Sequence, residues 1–376
     1  MKWMHVPKMD LLLVIAVLAL VGVGTVIIYS TSGAVALLQG RAYDFFISKH
    51  LVMVGMGVVA MFVMSRVDHS IYYKLARPAF WFGVLMLIAV VAGLGTSAHG
   101  AERWLNIGPL RIQPSEPMKL ALFSLVAQRL SEAGDSMEPW RDSIFRPSFP
   151  LAVVFGLLML QPNYSMAGIM SIVWYVMLFS AGVSWKRLVL MPLALAPVAV
   201  LLVVGSEYRL KRVMALFDPT TNTASAYQQL QSLISLGNGG FWGTGLGQGT
   251  QKMGYLPMPF TDMIYAILGE ELGFVGSGLV LILFAILLWR GLIIARNAKT
   301  RYAKYLAVGI TTSIGITAAI HIAVCISIAP ATGQPLPLVS YGGTSLVITM
   351  AAMGILLNIS DPESGGSIEE RTGGLT

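Results

Sequence analysis

Ten runs of apolar residues, at 11–30, 48–65, 78–95, 117–131, 150–162, 164–182, 187–205, 263–289, 305–328 and 341–358, alternate with polar connections along the 376-residue chain. A helix takes about 20 apolar residues to cross a hydrocarbon core, and backbone that meets lipid must close its hydrogen bonds within the helix. The pattern predicts an all-α polytopic membrane protein of about ten transmembrane helices. The runs 117–131 and 150–162 are short, so they are expected to tilt little, to start inside the interface or to be partly re-entrant. The first run, Leu11 to Tyr29, is too long for a signal-peptide core, lacks a small-x-small cleavage site and is followed by many more spans, so it reads as a retained helix.

One polar stretch, Glu207 to Asp262, breaks this rhythm. It opens with Arg209, Lys211 and Arg212, passes Phe217-Asp218-Pro219, and continues through Thr223 to Leu236. There Tyr227, Leu230, Leu233, Ile234 and Leu236 recur with helical spacing, which predicts a helix lying at the interface. Seven glycines follow in the thirteen residues Gly237 to Gly249. They contain no phosphate-loop pattern. The pairs Gly239/Gly243 and Gly243/Gly247 fit close helix packing, and the run equally fits close approach of backbone to a bulky ligand. The stretch ends at Leu256-Pro257-Met258-Pro259-Phe260-Thr261-Asp262, a carboxylate set where an apolar helix begins. Such a charge is costly there and needs a reason.

The expected layout is an N-terminal segment 1–10, one membrane domain 11–358 with a large outer loop 206–262 between helices 7 and 8, and a disordered tail 359–376. Ten spans put both termini on one side. With that side taken as cytoplasmic, sixteen Lys and Arg fall inside and nine outside, the asymmetry that orients membrane proteins.

Composition narrows the function classes. The chain is 56% hydrophobic and only 11% charged, against roughly 25% charged in soluble domains. Its net charge of +7 is explained by that orientation rule and by anionic lipid, without nucleic acid. The single cysteine, Cys325, excludes an intramolecular disulfide and a multi-cysteine metal site, and the five histidines show no metal-ligand spacing.

Other polar segments stand out. The second outer loop, Thr96 to Lys119, carries Arg103-Trp104 and Gln113-Pro114-Ser115-Glu116, with prolines setting turns and a helix start expected at Pro117 behind a Ser115 cap. Arg103-Trp104 fits an interfacial anchor or a polar site. Gln161-Pro162-Asn163 is sufficiently explained as a turn. Glu270 and Glu271 lie within an apolar run, where each costs about 2.5–3.5 kcal/mol if left unpaired at the bilayer centre, so they are expected to face the protein interior or a polar cavity. The segment Ala329 to Ser345, with three prolines and a Gly-Gly pair, cannot be regular helix.

In that order the motifs resemble the SEDS family (shape, elongation, division and sporulation) of bacterial cell-wall synthesis. The matches are Arg103-Trp104 with Gln113 to Glu116 and Lys119; Gln161-Pro162; Arg209 through Asp218-Pro219; Tyr227-Gln228 with Gln231-Ser232, the glycine run and Leu256 to Asp262; and Pro330 through Ser340-Tyr341-Gly342-Gly343. The resemblance covers nearly the whole chain. It implies a glycosyltransferase of the bacterial cytoplasmic membrane that polymerises lipid II, a disaccharide-pentapeptide on undecaprenyl pyrophosphate, into glycan strands on the outer face. It also implies a class B penicillin-binding protein as partner, with membrane lipid and other division or elongation membrane proteins around it. Gln251-Lys252 and the Tyr-Gln-x-x-Gln-Ser-Leu run lean toward the division branch.

By the resemblance, Asp262 matches the family's essential outer aspartate, and Trp104 falls at a position important in the family. The chemistry agrees. Transfer from a pyrophosphate ester needs a base for the acceptor hydroxyl, whereas the leaving group is already good, so a paired acid and base are not required. Asp262 is the expected general base. Positive charge for the departing pyrophosphate is expected from Arg103, Lys119, Arg209 and Arg212, and further substrate contacts from Trp104, Glu116, Tyr227, Gln228, Gln231, Ser340, Tyr341 and Gly342. No organic cofactor is implied, and a divalent cation (Mg or Mn) is left open, with no aspartate cluster to declare one.

Four positions depart from the family pattern: Asn163 stands where an aspartate is common, Met258 and Phe260 replace a glutamate and a histidine, and His321 replaces an asparagine. Asn163 is expected to be a structural cap, and Met258 and Phe260 to desolvate Asp262. Two rival classes remain at this stage. One is a flippase or transporter using Glu270 and Glu271; the other is a non-catalytic scaffold for the penicillin-binding partner. No internal repeat speaks for transport.

Overall fold

The computed structural model describes residues 9–98, 101–108, 110–134, 139–217 and 224–361, apart from a few side chains, that of Arg209 among them. Each apolar run falls on a helix: α1 Leu11–Leu38, α2 Phe45–Arg66, α3 His69–Ala89, α4 Ser115–Ala133, α5 Arg146–Leu160, α6 Tyr164–Ser180, α7 Trp185–Val204, α10 Ile264–Arg296, α11 Arg301–Cys325 and α12 Gly343–Ser360. Two more, α8 Glu207–Phe217 and α9 Ala224–Gly239, lie in the long polar stretch. Among the described residues seven helices are long and apolar enough to cross a membrane; α6 is apolar but has 17 residues.

The helices α11 and α12 form the centre, with 61 and 67% of their apolar windows buried against 17% for α2. Around them α2 packs along α12, α1 along α10, and α3 along α4, which also meets α11. The 28 residues of α1 span about 42 Å at the helical rise, so one end must stand beyond a hydrocarbon core of about 30 Å. At its start Asp10 caps the helix through the Leu13 N–H, 3.1 Å away, and accepts from Arg290 Nε of α10 at 2.8 Å. Asp10, Arg290 and Ser360 line one recess. The first helix therefore begins on the molecular face where α12 ends.

Two local expectations are corrected. The loop after α3 builds a three-stranded antiparallel sheet, β1 Thr96–Ala98, β2 Ala101–Ile107 and β3 Leu110–Ile112, in the register Thr96↔Trp104 and Asn106↔Arg111. Gly108, at φ +61°, supplies the left-handed residue of the second turn. Helix α4 then begins at Ser115 and takes Pro117 into its first turn, where a missing N–H costs nothing.

The α9 helix is amphipathic with its faces exchanged. Ala226, Gln229, Ser232, Ser235 and Gly239 are buried, while Tyr227, Leu230, Leu233 and Ile234 are exposed. Small side chains allow the close approach to α10, and hydroxyls bond both neighbouring helices: Ser235 Oγ donates to Ala266 O of α10 at 3.1 Å and Ser232 Oγ to Cys325 O of α11 at 2.7 Å. The glycine run completes this packing. A side chain at Gly239 or Gly243 would collide with the α10 backbone at Gly269 to Gly273. There α10 itself breaks, at Gly273 with φ +68°, and Phe274 N–H bonds Gly240 O at 2.9 Å. At Gly239 and Gly243 the run holds this segment onto α10, and further along Gly247 borders a recess beside α1.

Candidate active site

A cavity of about 570 Å³ lies near the start of α10, at the end opposite Arg290. Its walls come from segments far apart in the chain. Arg103, Trp104 and Gln113 come from the sheet and its exit, Glu116 from α4, Pro162, Tyr164 and Ser165 from the α5–α6 turn, and Arg212 from α8. Met258, Thr261 and Asp262 supply a further side, and Thr332 to Pro335 with Tyr341, Gly342 and Ser345 the rest.

Asp262 sits partly exposed, two residues before α10 begins. Its turn is held from both sides. The Met258 carbonyl gathers the N–H groups of Thr261 and Met263, both at 3.3 Å. Ser340 Oγ donates to Thr261 O at 2.7 Å, and Tyr341 N–H to Phe260 O at 2.9 Å. Phe260 is buried and turns away from the cavity, packing edge-on to Tyr341 with ring centroids 5.4 Å apart and against Phe46 at 5.1 Å. Met258 does line the cavity, so of the two departures only this one brings apolar surface toward the carboxylate. Gly333 runs alongside: a Cβ there would lie 3.7 Å from Asp262 Oδ2.

The strip Ala331 to Pro335 is pinned in place. Arg212 Nη1 donates to Ala331 O at 2.7 Å, Ser165 Oγ to Thr332 O at 3.1 Å, and the buried His321 Nδ1 to Gln334 O at 2.9 Å. His321 thus anchors this strip. Arg103 bonds the Pro162 carbonyl, and the Arg111 guanidinium stands over the Trp104 ring at 5.1 Å. On α8, Lys211 is spent locally: its hydrogen bond holds the Glu207 carboxyl below the usual range, at 2.7 Å.

Of the residues singled out in the sequence, Asp262, Arg103, Trp104, Glu116, Arg212, Tyr341 and Gly342 converge on this cavity. Lys119 pairs with Glu116 at 2.9 Å and lines a smaller adjoining pocket of about 30 Å³, room for a water or two. Ser340 lies behind the wall. Tyr227, Gln228 and Gln231 are not brought to the cavity, since α9 meets the protein through its other face, where Gln229 donates to Ala329 O at 2.9 Å. The Arg209 side chain is outside the described residues. Tyr164, Ser165, Thr332, Gly333 and Gln334 were missed as site residues, although Thr332-Gly333 lay within a quoted motif.

Asn163 is buried but is no side-chain cap. It occupies the N-cap position of α6 without a capping bond, and its Nδ2 points to Ser115 Oγ on α4, 3.4 Å away. Beside it Gln161 Nε2 donates to Leu87 O at 2.8 Å. The α5–α6 turn is thereby tied to both α3 and α4. Glu270 and Glu271 face the interior and do not line the cavity. Glu270 accepts from Thr250 N and Oγ1 at 2.9 and 3.0 Å, and Glu271 from Lys252 at 2.6 Å. Both carboxylates are thus satisfied within the protein, as charges in a span must be. Among the described residues no three His, Cys, Asp or Glu side chains converge as metal ligands; the carboxylates lining the cavity are Asp262 and Glu116.

Fold and cavity together define a multi-pass helical membrane protein with a chamber at one end of its helices, lined by two carboxylates, Asp262 and Glu116, and two arginines, Arg103 and Arg212. The family model of the FtsW, RodA and SpoVE cell cycle proteins matches residues 10–365. The chain is 39% identical to the stage V sporulation protein E of Bacillus subtilis over 358 residues, covering 93% of this chain and 96% of that protein. It is 35% identical to the probable peptidoglycan glycosyltransferase FtsW of Trichlorobacter lovleyi, covering 96% and 95%. Among solved structures, a chain of a peptidoglycan synthase complex that coordinates polymerization and crosslinking superimposes with a TM-score of 0.79 at 26% identity, covering 94% and 98%. RodA of Thermus thermophilus gives 0.70 at 25%, covering 96% and 98%. This chain belongs to the FtsW/RodA/SpoVE family, the SEDS family that its motifs resemble.

Proposed function

We propose that this protein is a peptidoglycan glycosyltransferase that polymerises lipid II into glycan strands on the outer face of the bacterial cytoplasmic membrane. Both termini lie inside, and the role is in division, beside a class B penicillin-binding protein. The observation that carries this reading is the convergence of Asp262, Arg103 and Arg212 on one cavity at the start of α10. The glycosyltransferase activity in the FtsW relative's name and the synthase complex of the structural neighbour support the same reading.

In the proposed reaction the Asp262 carboxylate takes the proton of the acceptor sugar's hydroxyl. The hydroxyl oxygen then bonds the donor's anomeric carbon, and the bond from that carbon to the carrier pyrophosphate breaks, its electron pair leaving with the pyrophosphate. Arg103 and Arg212 meet the charge that develops there. Family resemblance implies inversion at the donor carbon. Glu116, held against Lys119, orients polar groups of the substrate at the cavity's deep end.

The test is a polymerisation assay with purified protein, its partner and lipid II. A ladder of glycan strands, insensitive to moenomycin, is expected. Transport or scaffolding alone would leave lipid II unpolymerised, and that result would refute the proposal.

A further inference from the structure

Away from the cavity, Lys252 and Glu271 form a buried ion pair, Nζ to Oε1 2.6 Å, with side chains 4 and 0% exposed. Lys252 Nζ also donates to Ser30 Oγ of α1 at 3.0 Å, and that hydroxyl lies 2.7 Å from both Glu271 oxygens. Next to it, Glu270 accepts the backbone N–H groups of Thr250 at 2.9 Å and Gln251 at 3.3 Å. The turn around Lys252 is thus bonded to α10 through main chain and side chain at once.

The pair's place in the chain is what gives it meaning. Asp262 lies between the two partners, ten residues after Lys252 and nine before Glu271. Their bond closes this segment into a ring that contains the Asp262 turn and the first turns of α10. At the ring's start Leu256 N–H bonds the preceding Gln251 O at 2.9 Å, and within it Leu256, Phe260 and Met263 are buried. For stability alone an apolar pair of similar volume would serve as well, because desolvating two charges offsets much of their attraction. What a hydrogen-bonded ion pair adds is direction: it fixes where the turn stands relative to α10 and α1.

We propose that Lys252 and Glu271, with Ser30, form a positioning element that sets the Asp262 turn for glycosyl transfer. The proposal rests on Asp262 being the base. Neither Lys252 nor Glu271 lines the Asp262 cavity; Lys252 and Ser30 border a separate recess beside α1.

The test uses the full-length protein in its partner complex, with melting temperature and lipid II polymerisation kinetics measured for each variant. Lys252→Met/Glu271→Leu removes both charges together and should keep the parental melting temperature. Its kcat should fall about tenfold or more with KM within about threefold, because small displacements of a reacting group are costly. Parental kcat in this folded variant would overturn the proposal. Should the double variant fail to fold, Ser30→Ala decides: it leaves the ion pair and removes only the tie to α1. A fall in kcat at unchanged KM supports the positioning role, and parental kcat overturns it. Asp262→Asn separates the two readings. Activity surviving there removes the base assignment itself, whereas an inactive Asp262→Asn beside a fully active double variant removes only the positioning role.

Discussion

Ser340 and Thr261, 79 residues apart in sequence, are joined by a 2.7 Å hydrogen bond from the serine hydroxyl to the threonine carbonyl. The same hydroxyl accepts the Leu336 N–H at 2.8 Å, so one buried side chain ties the segment before α12 to the residue beside Asp262. Ser340→Ala leaves both backbone groups without that partner. A stability loss of about 1–3 kcal/mol is expected from the unsatisfied groups. Turnover should fall about tenfold as the Asp262 turn loosens. Thermal melting and strand synthesis measure the two effects, and parental turnover would show that this tie does not position the carboxylate.

Gly333 offers a more local probe of the same carboxylate. Its backbone has φ +66°, where an L side chain costs roughly 1–2 kcal/mol, and its Cβ would reach 3.7 Å from Asp262 Oδ2. Gly333→Ala is expected to lower the melting temperature slightly and turnover more. Should stability fall with turnover unchanged, substrate does not pass on that side of Asp262.

Arg212 carries both a charge and a hydrogen bond to the Ala331 carbonyl. If its charge meets the leaving pyrophosphate, Arg212→Ala should cost about 100-fold in turnover, and Arg212→Lys should restore much of it. Equal losses in the two variants would assign Arg212 to holding the Ala331 strip instead.

Asn163 is buried, with Ser115 Oγ 3.4 Å away. Asn163→Asp restores the family's common carboxylate beside Ser115, in a turn whose Pro162 carbonyl bonds Arg103. Activity is expected within about threefold of the parent, with a small loss of stability from the buried charge. A large gain in strand synthesis would show that this turn contributes a missing chemical group.

The ten apolar runs were legible because lipid demands long uninterrupted apolar helix. Asp262 was legible because a carboxylate at such a helix start stands out, whereas its surroundings come from segments some 240 residues apart, from Arg103 to Ser345. The helical spacing of α9 was legible, but the residues it turns to the protein were not, because small and hydroxyl side chains carry no periodic signal. Beside lipid the apolar stripe faces outward, and Ser232, Ser235 and Gly239 make the protein contact. The glycine run could not be assigned from sequence because its partner is Gly269 to Gly273 across the fold. Likewise the charges of Glu270 and Glu271 had no visible partner until the fold set Lys252, Thr250 and Ser30 beside them.

The most direct measurement is lipid II polymerisation by Asp262→Asn, an exchange of nearly equal size that removes the proposed base while retaining hydrogen-bonding capacity. With expression, melting temperature and partner binding at parental levels, strand synthesis should be lost. Strands made at a substantial fraction of the parental rate would contradict the assignment of Asp262 as the base.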